Sequence, residues 1–206
     1  MTRREKKWVI APARFLRQEE LQRLRKCAKS RATEEKQKSC RVVECVVLEV
    51  ALGSGLRVAE IAGLDCGDLS LGLSSGTILV RQGKGGKRRT VIISGRLCRV
   101  LENFLRWKGA RGEIVSSGSP LIASPQTAAQ ISTRALQKMF GRLLVASGIG
   151  HHRFHDLRHT YGSYLLRASG NDLVFVRNQM GHSDLTTTAV YLHALNAEKA
   201  VNALYR

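Results

Sequence analysis

The chain has 206 residues, 34 of them Lys or Arg against 16 Asp or Glu, which gives a formal net charge of +18. This length fits one domain with a buried core, and so large a positive excess favours a nucleic acid partner, because a polyanion relieves the self-repulsion. No apolar run approaches the length of a membrane span, and the basic N-terminus leads into no secretory signal, so membrane and secreted classes are disfavoured.

The cysteines are odd in number and are scattered without a CxxC pair. They are Cys27, Cys40, Cys45, Cys66 and Cys98. This pattern predicts free thiols in a reducing cytoplasm, without a disulfide framework and without a zinc site. We expect no cofactor.

The first third of the chain predicts an arm and two helices. Residues 1–14 form a flexible basic arm, and apolar residues then recur at helical spacing from Leu16 to Cys27. Residues 28–39 are polar and predict a loop or an exposed helical start. The apolar segment from Cys40 to Leu52 predicts a buried helix, although its valines also allow a strand.

A short helix over Arg57–Ala62 precedes three predicted strands at 64–71, 77–81 and 89–93. The last two strands flank a glycine-rich segment, Gly83-Lys84-Gly85-Gly86-Lys87, and glycines between β-branched runs indicate a hairpin. The middle of the chain therefore predicts a small antiparallel sheet of three strands.

The remainder is predicted to be helical apart from a surface connection over 109–130, which is rich in glycine, serine and proline. The predicted helices cover 96–107, 131–146, 155–168, 172–179, 184–191 and 196–204. The fold class is therefore α+β, mostly helical, with a small three-stranded antiparallel sheet inserted near its start.

The sequence His155-Asp156-Leu157-Arg158-His159 indicates a phosphate site. Residues three apart share a helix face, so His155 and Arg158 can reach one ligand. A guanidinium can bond two phosphate oxygens while an imidazole handles a proton. The phenol of Tyr191 is a candidate nucleophile if cations surround the group that it attacks.

Other interpretations of these residues compete. A cluster of histidines suggests a metal site, but no cysteine or carboxylate joins it in a known ligand pattern. His159 is expected to pack or to hydrogen-bond in the core beneath the phosphate site. The cluster comprises His151, His152, His155 and His159. Tyr161, Tyr164 and Tyr205 are alternative phenols, of which the first two are expected to serve packing.

Four segments together resemble the catalytic domain of the tyrosine recombinases, the phage integrase family. They are Gly55-Leu56-Arg57-Val58-Ala59-Glu60-Ile61, the hairpin Gly83 to Arg89, the segment His155 to His159, and Gly181-His182-Ser183 followed by Tyr191. Each is weak alone, since GKGGK also suits any flexible hairpin. All four in this order, each on its expected element, form a specific signal.

The resemblance implies a site-specific recombinase that needs neither metal nor ATP and cleaves double-stranded DNA through a 3′-phosphotyrosyl intermediate. Its implied catalytic residues are Arg57, Lys84, His155, Arg158, His182 and Tyr191. The arginines would clamp the phosphate, Lys84 would protonate the leaving 5′-oxygen, and Tyr191 would attack. Lys87 is the rival of Lys84. Glu60 either braces Arg57 or a neighbouring cation, or lies on a solvated helix face.

The resemblance implies that His155 helps to deprotonate the tyrosine or buffers its proton, and that His182 hydrogen-bonds the phosphate. Two other functions remain open: DNA relaxation like that of type IB topoisomerases, and DNA-binding regulation without catalysis. The catalytic domain would span 15–206.

The tail 196–206 is expected to be an exchange helix that docks on a neighbouring protomer, although packing on its own domain remains open. The family resemblance then implies a monomer in solution and a tetramer on DNA, with accessory DNA-bending proteins as candidate partners. Most family members carry a further N-terminal helical domain. Either that domain lies outside this sequence, or the chain is one of the short members, such as the fimbrial phase-switch recombinases.

Overall fold

The computed structural model describes residues 15–33, 39–81, 88–124, 127–150, 152–182, 188–189 and 191. The basic arm, hairpin lysines Lys84 and Lys87, most of the helix expected over 184–191, and the tail 196–206 lie outside these ranges. The described part is mostly helical with one small antiparallel sheet, which confirms the expected fold class.

The elements of this part of the chain follow one another in a simple order. The helices are α1 (Gln18–Thr33), α2 (Ser39–Ser54), α3 (Val58–Ala62), α4 (Gly95–Ala110), α5 (Thr133–Ala146), α6 (Phe154–Ala168) and α7 (Leu173–Met180). The strands are β1 (Leu69–Ser70), β2 (Ser75–Val80) and β3 (Arg89–Ser94), paired antiparallel in the order β1-β2-β3.

Helix α2 forms the centre of the domain, with α1, α4, α5 and α6 packed around it. Its C-terminal half, from Val46 to Leu52, is buried on every face, so the continuous apolar run reflects a helix with no solvent side. Two acids on this helix are buried with partners: Glu44 pairs with Arg31, and Glu49 pairs with Arg25. The expected buried helix is confirmed.

Helix α1 is longer than its apolar periodicity indicates. Of the two alternatives for residues 28–39, a loop or an exposed helical start, the loop is wrong as far as Thr33, where the chain continues α1. Ala28 is buried, and the Arg31 guanidinium lies 3.1 Å from the Glu44 carboxylate on α2. The last turns of α1 are therefore held by α2 rather than by an apolar stripe of their own.

The strand predicted over 64–71 is wrong for most of its length, since only Leu69 and Ser70 pair with β2. Residues Cys66–Asp68 form a 3₁₀ turn. The Asp68 carboxylate accepts a 2.8 Å hydrogen bond from the backbone N–H of Asp65, and such local bonds compete with a strand ladder. The hairpin of β2 and β3 is confirmed.

The connection over 109–130 is only partly a surface segment. Helix α4 continues to Ala110, and Leu121 and Ile122 are almost completely buried. The backbone N–H of Leu121 donates to the carbonyl of Leu64 at 2.8 Å, which anchors this stretch beside α3. Burial of these two apolar residues places part of an otherwise polar segment in the core.

The residues near the end of the described chain form a second, smaller apolar cluster beside α6 and α7. It contains Tyr161, Leu166, Val176, Met180 and Tyr191, with Phe15 packed against it. The main core lies around α2. This small cluster places Tyr191 next to the helix that carries Arg158.

All five cysteines are free, as expected. None of the helices in the described ranges is both long enough and apolar enough to cross a membrane.

Candidate active site

Arg57 precedes the first turn of α3 and reaches across to another part of the chain. Its guanidinium donates to the Glu60 carboxylate at 2.8 Å and to the carbonyl oxygen of Gly181 at 3.1 Å. The side chain keeps 27% of its surface exposed. Glu60 therefore braces Arg57, as one of the expected alternatives stated, and the guanidinium is still accessible to a ligand.

Arg158 lies deeper, on the second turn of α6, and is only 2% exposed. It donates to the carbonyl oxygens of Gly55 and Met180. Burial, followed by the positive charge of Arg57, lowers the pKa of Arg158 to about 10. The group remains charged at neutral pH, in a place that has little water to solvate it.

Glu60 is the carboxylate that holds this cluster together, and the alternative of a solvated helix face is wrong because the residue is 9% exposed. Arg89, the first residue of β3, forms two parallel hydrogen bonds with it at 2.8 and 2.9 Å. Burial would raise the pKa of Glu60, but the hydrogen bonds from Arg89 and Arg57 outweigh burial and lower it to about 2.

The charges of these four side chains do not balance. Arg57, Arg89 and Arg158 carry three positive charges against the one negative charge of Glu60. The partners of Arg158 that the hydrogen bonds identify are neutral carbonyls. An excess of cations in a buried setting is an electrostatic cost that a bound anion would remove.

His182 follows the two carbonyls that the arginines bind, those of Met180 and Gly181. Its Nδ1 lies 3.0 Å from the hydroxyl oxygen of Thr188. Burial and then the charges of Arg158 and Arg57 lower the pKa of His182 to about 3. The imidazole is therefore neutral at physiological pH and acts through hydrogen bonding rather than through charge.

Tyr191 lies next to His182, and their rings are nearly parallel, with centroids 6.2 Å apart. The tyrosine is 1% exposed. Gly162 on α6 makes room for it, because a Cβ at that position would come within 2.8 Å of the tyrosine ring carbon that bears the hydroxyl. Burial raises the pKa of Tyr191 to about 12, against the opposing effect of the arginines.

The ring that contacts the Tyr191 hydroxyl is that of His159, whose Nδ1 lies 3.2 Å from the phenolic oxygen. His159 was expected to pack or to hydrogen-bond beneath the site; it hydrogen-bonds, and its partner is the candidate nucleophile itself. His155 is exposed, and its ring packs edge-on against His159 at a centroid distance of 4.6 Å. The two imidazoles extend from the buried hydroxyl to the surface.

The alternatives to a phosphate site and to Tyr191 were a histidine metal site and three other tyrosines. In the described ranges no three His, Cys, Asp or Glu side chains converge as metal ligands would, and His151 lies outside those ranges. Tyr161 packs its ring against Gly55 and is buried, as expected, whereas Tyr164 is 42% exposed. Tyr205 lies outside the described residues.

The structure thus groups five of the six residues expected from the sequence, with Lys84 outside its described part. Arg57, Arg158, His182 and Tyr191 surround one small region, and His155 lies at its outer edge. Two further residues of the region, Arg89 and His159, lie within segments that the sequence singled out but were not among the expected catalytic residues. The single acid of α3 indicated a need for cations, and only the folded chain shows that Arg89 is one of them.

Comparison with known proteins agrees with this geometry. The model of the phage integrase family matches residues 14–198. The tyrosine recombinase XerC of Pseudomonas entomophila strain L48 is 35% identical over 151 residues, covering 71% of this chain and 46% of that protein. XerC of Yersinia pestis is 36% identical over 148 residues with the same coverage. The chain thus spans about half the length of these relatives.

Solved structures show the same fold. XerH site-specific recombinase bound to a palindromic difH substrate superimposes with a TM-score of 0.76 and 23% identity, covering 93% of this chain and 53% of that one. XerA recombinase superimposes with a TM-score of 0.72 and 27% identity, covering 91% of this chain and 64% of the XerA chain. Because the family model matches nearly the whole chain, the protein belongs to the phage integrase family.

Proposed function

We propose that the protein is a site-specific DNA recombinase that cleaves and rejoins DNA strands through a covalent bond between Tyr191 and a 3′-phosphate. The observation that carries this proposal is the buried excess of positive charge beside the Tyr191 ring. Arg158 is almost completely buried and still charged, and its charge and that of Arg57 act on the tyrosine. A phosphodiester is an anion of the size and charge that such a pair binds.

The cleavage step uses the residues as follows. The oxygen of Tyr191 attacks the phosphorus, and the bond from phosphorus to the 5′-oxygen breaks. Arg57 and Arg158 stabilise the charge that develops on the non-bridging oxygens; loss of one such donor typically costs about 10²–10³ in rate. The neutral imidazole of His182 donates a hydrogen bond from Nε2 to the phosphate, with the Thr188 hydroxyl donating to Nδ1.

Two proton transfers complete the step. Lys84, on the hairpin between β2 and β3, gives a proton to the leaving 5′-oxygen. The proton of Tyr191 leaves towards His155, at the solvent side of the site. Arginine charges stabilise the transition state here, so the reaction requires no metal ion and no ATP.

Formation of a covalent adduct tests the proposal. A duplex that the protein selects from a randomised pool would be prepared with single nicks at successive positions, so that the short 5′-hydroxyl fragment diffuses away after cleavage and traps the adduct. We expect a covalent protein–DNA band with the wild type in EDTA, and no band with Tyr191→Phe, which should bind the duplex equally well. A band that persists in Tyr191→Phe would show that another residue is the nucleophile.

The wild type also separates the other two functions. A recombinase should leave a supercoiled plasmid without the selected sequence intact, whereas a topoisomerase-like enzyme would relax it. A DNA-binding regulator would bind the duplex and form no adduct on any nicked version.

A modified substrate tests the role of Lys84. A 5′-bridging phosphorothiolate releases a thiolate, which hardly needs a proton, so Lys84→Ala should cut it at close to the wild-type rate while losing roughly 10²–10⁴-fold on normal DNA. Lys87→Ala is the matched control on the same hairpin. Rescue of Lys87→Ala instead would make Lys87 the general acid.

We further propose that the protein assembles on DNA through its tail. A structure of lambda integrase is a tetramer bound to a Holliday junction, with a TM-score of 0.58 to this chain and 21% identity. In this chain Ala197, Ala200, Val201 and Leu204 recur at helical spacing, a narrow apolar stripe suited to a partner.

Truncation after Ala194 should leave a folded monomer that binds a half-site but loses cooperative binding to a full site. Unfolding of the truncated protein would instead assign the tail to its own domain.

A further inference from the structure

The hydroxyl group of Tyr191 has a specific neighbour. Its oxygen lies 3.2 Å from Nδ1 of His159, within hydrogen-bonding reach, and the ring centroids are 6.0 Å apart. The tyrosine is 1% exposed, so bulk water has almost no access to its side chain. Water is therefore a poor acceptor for the proton of this hydroxyl, and Nδ1 of His159 is in position to take it.

The tyrosine needs such a group because it is a weak acid in its present setting. Burial raises the pKa of Tyr191 to about 12, and the nearby arginines only partly oppose this effect. The hydroxyl is therefore fully protonated at neutral pH. A base already in contact with the oxygen can remove the proton as the new bond forms.

His159 also packs against a histidine that is exposed to solvent and could receive its proton. His155 is exposed and packs edge-on against His159 at a centroid distance of 4.6 Å. On the other side, the ring of Phe15 meets both His159 and Tyr191 edge-on, at 6.2 and 6.5 Å. Phe15 thus packs beside the two reacting rings, and His155 connects them to the surface.

The other imidazole beside the tyrosine is a poorer acceptor. Nδ1 of His182 lies 3.0 Å from the hydroxyl of Thr188. Burial and the charges of Arg158 and Arg57 lower the pKa of His182 to about 3, so this ring resists taking up a proton. His182 therefore suits a donor role towards phosphate, which leaves the tyrosine proton to a different histidine.

We propose that His159 is a catalytic residue, the general base that takes the proton of Tyr191 during DNA cleavage and passes it to solvent through His155. The inference rests on the proposed function. The proton moves from the tyrosine oxygen to Nδ1 as the oxygen–phosphorus bond forms, and the leaving 5′-oxygen takes a separate proton from Lys84. In rejoining, His159 returns the proton to the departing tyrosine oxygen.

Two variants of the full chain separate proton transfer from positioning. His159→Gln keeps a hydrogen-bonding group near the hydroxyl but cannot accept its proton, and His159→Ala leaves space for added imidazole. On the nicked duplex described above, we expect adduct formation to slow by roughly 10²–10⁴-fold in both variants. Added imidazole should raise the rate of adduct formation by His159→Ala at least about tenfold, because it can act as a replacement base.

The controls assign each failure to one cause. Half-site binding, measured by fluorescence anisotropy, reports folding, and His159→Asn replaces the glutamine variant if the latter does not bind. Added imidazole should not raise the rate of Arg158→Lys. The phosphorothiolate substrate should not rescue His159→Gln, because this variant can still protonate the leaving 5′-oxygen. Wild-type rates in His159→Gln, or no imidazole response in His159→Ala, would overturn the general base. Absence of an adduct with the wild type would overturn the proposed function itself.

Discussion

The two halves of the candidate site are held in place by different forces. The phosphate half consists of Arg57, Arg89 and Arg158 around Glu60, and each guanidinium has at least two hydrogen bonds to fixed acceptors. The tyrosine half is held by ring packing and by a contact of 3.2 Å between the Tyr191 hydroxyl and His159. Charged hydrogen bonds fix direction closely, whereas packed rings can slide.

This difference matches what the proposed cleavage reaction requires of each half. The transition-state charge needs donors that are already oriented before the reaction, because reorganising them would add to the barrier. The nucleophile must instead approach the phosphorus and later leave it. Tyr191 lies in a small cluster apart from the main core around α2, so a shift of its ring would be felt mainly within that cluster.

Of the variants that compare how the two halves are held in place, the largest effect is expected at Arg158 in the phosphate half. In Arg158→Lys a single ammonium group cannot reach the carbonyl oxygens of both Gly55 and Met180 while also facing a phosphate. Adduct formation should fall by about 10²–10³-fold. Arg167→Lys, an exposed position on the same helix, is the matched control and should keep the wild-type rate. A normal rate in Arg158→Lys would mean that charge alone suffices.

A smaller effect is expected from disturbing the tyrosine half at Gly162. The new methyl group in Gly162→Ala would lie 2.8 Å from the tyrosine ring and 2.7 Å from the sulfur of Met180. The ring must shift, which should slow cleavage by roughly ten- to a hundredfold while half-site affinity stays unchanged.

The glycine control for this variant is Gly141→Ala on α5, where nothing lies within 4 Å of the added methyl group. The free energy of unfolding, measured with urea, should rise by about 0.4–1 kcal/mol in Gly141→Ala, because alanine lowers the entropy of the unfolded chain. It should fall by about 1–3 kcal/mol in Gly162→Ala. Equal cleavage rates in the two variants would contradict the assigned position of the tyrosine.

The smallest effect is the part of the pH dependence of stability that comes from Glu60 in the phosphate half. The pKa of Glu60 is lowered from its model-peptide value of 4.5 to about 2, so its ionised form stabilises the fold above pH 4.5. That contribution disappears as the pH falls towards 2. Wild type should lose about 1 kcal/mol of it between pH 7 and pH 4, and about 2 kcal/mol by pH 3.

The Glu60→Gln variant checks this assignment, because its amide does not titrate. Urea unfolding of both proteins at several pH values should give a difference in unfolding free energy that shrinks on acidification. A constant difference would place the acid-sensitive group elsewhere.

Local pattern was sufficient for most of the fold, whereas the full set of candidate site residues came from the resemblance to the tyrosine recombinases. The apolar run of α2, the glycine-flanked hairpin of β2 and β3, and the spacing of His155 and Arg158 on one helix all follow from short-range periodicity. Such patterns report which face of an element is buried, because they depend only on residues that are close in sequence. The strand expected over 64–71 was wrong for two reasons. The hydrogen bond between Asp65 and Asp68, only three residues apart, favours a local turn, and the bond from the backbone N–H of Leu121 to the carbonyl of Leu64 joins parts of the chain that meet only after folding.

The sequence by itself determined that this basic chain is mostly helical and that arginines, histidines and a tyrosine are available for phosphate chemistry. Only the tertiary structure decided how they are paired. Glu60 acquires Arg89 from a strand 29 positions away, and the Tyr191 hydroxyl lies beside His159, 32 positions away. Neither pairing has a sequence signature, because hydrogen bonds form between groups that folding brings within about 3 Å, whatever their separation along the chain.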